Sequence, residues 1–210
     1  MTTIPGEPHL LTTIEELERI YTPVNPNSLR KEIAYVHPHY QKMIEASPFV
    51  AIASCGPDGM DCTPRGDHPG FVRVVDEHTL MIPDRRGNNR IDTLRNIVSD
   101  PRVALLFLIP GVGETLRVNG RARISVDPAL LESFAVDGKL PRSVLIVTVE
   151  RIYFQCSKAV VRAKLWDPAR QIPRSALPST GTIIETLSNG AVDGAAYDRE
   201  LPIRIPQQLY

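Results

Sequence analysis

The chain has 210 residues, with 24 Lys+Arg balancing 24 Asp+Glu, so its formal net charge is zero; 42% of residues are hydrophobic and 23% charged. That balance excludes a disordered chain and gives no general attraction to nucleic acid or anionic lipid. No run of about 18 apolar residues exists, so no membrane-spanning helix is expected.

Met1 to Leu11 reads as an irregular arm. It lacks the basic-then-apolar order of a signal peptide, so a cytoplasmic location is expected. Thr13 is a hydroxyl N-cap before Glu15 and Glu16 and opens a short helix that Pro23 and Pro26 stop. Ser28 opens a second helix to about Val36, and a third turn of helix runs from His39 to Ala46. Leu29, Ile33, Met43 and Ile44 are the inward candidates of this part.

The period then changes. Phe49 to Ser54 reads as a strand, Gly56-Pro57-Asp58-Gly59 as a hairpin turn, and Asp61 to Pro64 as the returning strand. Phe71 to Val75 and Thr79 to Pro83 form another pair. A loop from Asp84 to Asn89 leads into a helix from Arg90 to Val98, with Ile91, Leu94, Ile97 and Val98 on one face. Arg102 to Ile109 alternates Val103, Leu105, Phe107 and Ile109. Glu114 to Ser125 sets Leu116, Val118, Gly120, Ala122 and Ile124 against Arg117, Asn119, Arg121 and Arg123, a half-buried pattern. Asp127 and Pro128 open a helix to Ala135, Ser143 to Phe154 is a strong strand, and Ser157 to Leu165 is a short helix.

These elements predict a mainly β, α+β fold with peripheral helices: a six- to seven-stranded antiparallel split β-barrel. The absence of βαβ alternation argues against a dinucleotide-binding sheet. The expected organisation is a helical arm over residues 1–46, a barrel over 47–166 and an extended wrap over 167–210, with one helix near Thr182 to Leu187. Most of the 19 prolines fall in the N-terminal third and after Trp166.

Cys55, Cys62 and Cys156 form no CxxC pair, and the five histidines do not join them at zinc spacing. Free thiols and no metal are expected. His37-Pro38-His39 reads as surface, and Trp166 as a packing anchor.

Chemistry concentrates in two loops, Pro64-Arg65-Gly66-Asp67-His68-Pro69-Gly70 and Pro83-Asp84-Arg85-Arg86-Gly87-Asn88-Asn89-Arg90. Both are dense in glycine, guanidinium and amide groups. The second enters a helix N-terminus, whose free N–H groups and partial positive charge attract phosphate. Arg85, Arg86 and Arg90 would add charge-assisted contacts, and Asn88 and Asn89 amide donors. The plainer alternative makes Asn89 an N-cap and the arginines a solvated face.

The order of these motifs, followed by Asp100 to Phe107 and Glu114 to Ala122, resembles the pyridoxamine 5'-phosphate oxidase-like superfamily of FMN-binding split barrels over roughly residues 45–166. The resemblance implies FMN as cofactor and a small organic substrate for an FMN-dependent oxidoreductase. A non-catalytic protein holding flavin, haem or a deazaflavin (F420) in the same barrel is the alternative. It places Asn89 and Arg90 on the FMN phosphate, with Arg86 or Arg65 supplying a further cation and Arg73 facing the phosphate from the preceding strand. Pro83 and Asp84 meet the ring and ribityl chain. Asp67 and Asn88 belong to the same loops. Thr115 and Arg117 reach the cofactor, often from a second subunit, and Arg65 and Lys158 are candidates for the N1–O2 edge of the flavin. A homodimer with the cofactor between two barrels is implied. The Arg-x-His-type motif of true pyridoxamine phosphate oxidases is missing from Pro202 to Tyr210, so vitamin B6 phosphate is not the expected substrate.

Overall fold

The computed structural model describes residues 9–210. The irregular arm expected over Met1 to Leu11 therefore lies largely outside the described residues. The chain divides into two compact units, one ending at Glu32 and the other running from Ile33 to Tyr210. The boundary thus falls after Glu32, not at residue 46.

The first unit holds two short helices. α1 (Ile14–Ile20) is fixed by a capping box, in which the Thr13 hydroxyl accepts from the Glu16 N–H and Glu16 reaches back to the Thr13 N–H. α2 (Pro26–Arg30) is capped by Asn25 and has Pro26 in its first turn. It ends at Arg30 rather than Val36, and Leu29 is exposed. The expected continuation fails because the next residues serve the barrel. Ile33 exchanges backbone hydrogen bonds with Ile152, and the Val36 N–H donates to the Glu77 carbonyl.

In the second unit, α3 (Pro38–Ala46) starts at His37, whose Nδ1 accepts from the His39 N–H at 3.2 Å. Pro38 begins this helix instead of merely breaking the one before it, because the first helical position needs no N–H. Seven strands follow: β1 (Phe49–Gly56), β2 (Gly59–Gly66), β3 (Arg73–Asp76), β4 (Thr79–Asp84), β5 (Arg102–Leu108), β6 (Thr115–Ser125) and β7 (Ser143–Gln155). They form one antiparallel sheet in the order β2-β1-β5-β6-β7-β4-β3. This is the split-barrel architecture. Its core holds Ile44, Ile52, Leu80, Ile82, Phe107, Leu116, Leu145 and Ile152, all fully buried. The alternation of β5 and β6 sends Val103, Leu105, Phe107, Leu116, Val118 and Ala122 inward, as their period demands.

At Gly120 the β6–β7 register shifts, and a Cβ there would lie 2.0 Å from the Thr148 carbonyl oxygen. Glycine is what lets these backbones approach.

α4 (Asp92–Ser99) packs on β1 and β2, with Asn96 Nδ2 donating to Ser54 Oγ of β1 at 3.1 Å and Thr93 Oγ1 to Asp61 Oδ2 of β2 at 3.0 Å. Its buried face is Thr93 and Ile97, whereas Ile91 and Val98 are exposed. Ile97 and Leu94 pack inward as expected, whereas Ile91 does not, because it stands before the helix as its left-handed N-cap. α5 (Pro128–Ser133) starts at Asp127, and α6 (Lys158–Ala163) follows β7. Trp166 Nε1 donates to the Val112 carbonyl at 2.8 Å.

The helix expected near Thr182 to Leu187 is α7 (Thr180–Leu187), but the segment after it, expected to be extended, forms a second helix, α8 (Gly194–Gln207). Gly181 and Gly194 let them touch, and the Gly181 N–H donates to Asp198 at 2.7 Å. Pro202 and Pro206 lie inside α8, so the proline content that suggested extended chain marks a helix with missing donors. Among the described residues no helix is long and apolar enough to cross a membrane. The three cysteines are free thiols.

Candidate functional site

A cleft of about 730 Å³ opens where β2 and β4 end and α4 and β7 begin. Its walls are Asp61 to Gly66, Phe71, Pro83 to Leu94, Ile124, Arg142, Ser143, Gln208 and Leu209. Such a volume suits a small organic ligand. Five arginines (65, 85, 86, 90 and 142) line it against three aspartates (61, 84 and 92), so the surplus is positive.

The charges are not equally available. Arg65 pairs with Asp84 at 3.3 Å and also donates to Thr63 Oγ1 and the Pro64 carbonyl. Burial pushes the Asp84 carboxyl above its usual range, although Arg65 and Arg142 pull it down. Arg85 Nε bonds Asp67 Oδ2 at 2.8 Å, and a second nitrogen donates to the Phe134 carbonyl at 2.7 Å. Burial pushes Asp67 up, but hydrogen bonds from the Tyr210 hydroxyl, the His68 N–H and Arg85 together hold it below its ordinary value. Arg90 bonds its neighbour Asp92 at 2.7 Å. Arg86 makes no hydrogen bond or ion pair among the described residues, and Arg142 donates to Asn89 Oδ1 at 2.9 Å.

The loop between β4 and α4 is wound unusually. Asn89 (φ 62°) and Ile91 (φ 54°) both take the left-handed conformation. Asn tolerates it, but a β-branched Ile is strained there by roughly 1–3 kcal/mol. Ile91, not Asn89, occupies the N-cap position, and no side chain caps α4. Its first N–H groups are thus left to a ligand or to water. Nearby, the Ser143 hydroxyl is buried, lines the cleft and has no hydrogen-bond partner among the described residues.

Arg65, Pro83, Asp84, Arg86, Asn88, Asn89 and Arg90 therefore come together as expected from the two loops. Arg90 lies before the helix rather than in it, spent on Asp92. Asp67 is not in the lining; it is the carboxylate that holds Arg85. Arg73 is not in the lining either; its guanidinium lies over the Phe134 ring at 3.7 Å and bonds Ser133. Thr115 and Arg117 begin β6, whereas the cleft takes Ile124 from its far end. Arg117 stacks on Tyr153, and Lys158 is exposed at the start of α6. Within one chain these three do not share the cleft.

Sequence reasoning missed Arg142, Ser143, Gln208 and Leu209. A signal existed for the first two, since Ser143 begins a strong strand and Arg142 immediately precedes it. Only the β4–β7 register, which pairs Asp84 with Ser143, brings them to the loop.

The family model described as pyridoxamine 5'-phosphate oxidase matches residues 36–156, more than half of the sequence. The chain belongs to the pyridoxamine 5'-phosphate oxidase family. Among solved structures, HupZ of Group A Streptococcus is 19% identical, covering 58% of this chain and 94% of its own, with a TM-score of 0.47. A candidate pyridoxamine 5'-phosphate oxidase of Lactobacillus delbrueckii is 17% identical over 58% of this chain and 95% of its own, with a TM-score of 0.44. A Clostridium acetobutylicum protein related to general stress protein 26 is 17% identical over 56% and 86%, at 0.43. No curated protein is similar enough to match the sequence. Among the described residues no three His, Cys, Asp or Glu side chains gather as a metal site.

Proposed function

We propose that this chain is an FMN-binding oxidoreductase acting on a small organic substrate, and that the cleft receives the cofactor. The observation that carries the reading is the uncapped N-terminus of α4, reached through two left-handed residues and flanked by Arg86 and Arg142. Helix N–H groups with two guanidinium groups fit a phosphate dianion. The orphaned Ser143 hydroxyl supports the same reading, because leaving it unpaired costs about 1–3 kcal/mol that a ligand oxygen would recover. Phe71, Pro83, Leu94 and Ile124 supply apolar wall for a planar ring.

In this account Arg86, Arg142 and the first turn of α4 bind the phosphate. The apolar wall excludes water. The Arg65–Asp84 pair sets a dipole near the ring-bearing part, with Asp84 already biased toward its neutral form by burial. The chemistry that FMN supplies when bound is hydride or single-electron transfer. We further place the cofactor between the barrels of a cytoplasmic homodimer, in which Thr115, Arg117 and Lys158 of a second copy would reach it.

The test is purification without added cofactor, release of whatever is bound and its identification by mass. FMN, reduced by NADH or NADPH and reoxidised by an acceptor, supports the proposal. A Soret band from haem, a deazaflavin mass, or protein that stays colourless when offered FMN rejects it. Sedimentation of FMN-loaded protein as a monomer would remove the dimer.

A further inference from the structure

The residues after α8 enter the same cleft from a distant part of the chain. Gln208 and Leu209 line it, while the Tyr210 hydroxyl reaches past it to donate to Asp67 Oδ1 at 2.6 Å. Asp67 is a well-fixed acceptor. Its side chain is 3% exposed, and it also accepts from the His68 N–H and Arg85 Nε, both at 2.8 Å. Arg85 in turn holds the Phe134 carbonyl, and the Tyr210 ring lies 5.3 Å from its guanidinium. One arginine thus staples the loops after β2, β4 and α5, and residue 210 plugs into that point.

Arg85 has its carboxylate without Tyr210. What the tyrosine fixes is its own segment. Among the described residues, the other hydrogen bond from 208–210 is the Gln208 N–H to the Ile205 carbonyl, which stays within α8. The hydroxyl is therefore the one hydrogen bond from this segment to the barrel. Both lining side chains are uncharged, whereas the arginines and the α4 N-terminus belong to other segments. Uncharged side chains of this kind suit the ring-bearing part of a ligand rather than its phosphate.

We propose that Gln208, Leu209 and Tyr210 form a latched wall of the cleft, with the Tyr210–Asp67 hydrogen bond as the latch that controls entry and release of a flavin-sized ligand. The proposal builds on the cleft being the ligand site. It is tested with Tyr210→Phe, which keeps the ring and removes the hydroxyl. Hydrogen–deuterium exchange of the Gln208 amide, whose bond to the Ile205 carbonyl frays once the segment is released, reads the latch with no ligand added. Losing a hydrogen bond to a charged acceptor should speed that exchange by roughly tenfold or more. Stopped-flow flavin fluorescence should show faster association and faster dissociation of FMN, with urea unfolding of the barrel unchanged. Riboflavin shares the ring and lacks the phosphate, so its rates should change by the same factor. Unchanged exchange overturns the latch. Faster exchange with unchanged FMN rates overturns its control of the cleft, and an effect confined to FMN overturns the placing of the wall over the ring. If the wild type takes up no FMN, the flavin reading fails while the exchange measurement still decides the latch.

Discussion

Replacing Asp67 with Asn tests whether the Asp67–Arg85 pair organises the floor of the cleft. The substitution keeps the shape and removes the charge. It leaves Arg85, whose side chain is 14% exposed, without its counter-ion and sets an amide against its Nε. Breaking a fully buried pair costs about 3–5 kcal/mol. The cost here is smaller, because Arg85 keeps the Phe134 carbonyl and the cleft admits water, so about 2 kcal/mol is expected. For a domain of this size that lowers Tm by roughly 4–8 °C. Urea unfolding and a thermal scan measure both, with Glu150→Gln as the control: its pair with Arg121 is solvent-exposed on both sides, and the variant should stay within about 0.5 kcal/mol of wild type. The effect has a pH signature. Asp67 is held below its ordinary value of 3.8, so its contribution is fully present above that pH and fades as pH falls through the lower folded value. The wild type and D67N should therefore converge in acid. A D67N protein as stable as wild type at neutral pH would refute the reasoning.

The other substitutions probe different links. Asp84 is shifted the opposite way, chiefly by burial, so the native state holds its proton more tightly than the unfolded chain. Wild type should gain stability relative to Asp84→Asn as pH drops from neutral toward about 4, and at neutral pH the two should differ by under about 1 kcal/mol; a stability gap that is flat with pH contradicts this. Gly120→Ala drives a methyl into the Thr148 carbonyl and should cost on the order of 3 kcal/mol in urea unfolding, where no loss would mean the strands can part. Phe107→Ala should cost about 3–5 kcal/mol, whereas Val98→Ala, on an exposed side chain, should stay within about 0.5 kcal/mol; comparable losses would overturn the assignment of the inner faces.

The barrel was legible because a period of two is unambiguous where one face is wet, as in the Leu116, Val118, Ala122 run of β6. Both loops of the cleft were legible from glycine and guanidinium density. Three features were not. α8 was hidden by Pro202 and Pro206, which read as breakers but sit inside a helix. The start of α4 was hidden by Ile91 at positive φ, a conformation that a β-branched residue does not advertise. Arg142, Ser143 and Tyr210 were hidden by distance, since local pattern does not reveal that β7 pairs with β4 or that residue 210 meets residue 67.

Isothermal titration of FMN into the wild type and into the Arg86→Ala, Arg142→Ala double variant tests the central claim most directly. The two guanidinium groups contribute charge-assisted bonds to a phosphate, so the wild type should bind and the double variant should lose roughly a hundredfold or more in affinity with its fold intact. A wild type that does not bind FMN, or a double variant that binds it equally well, would contradict the account.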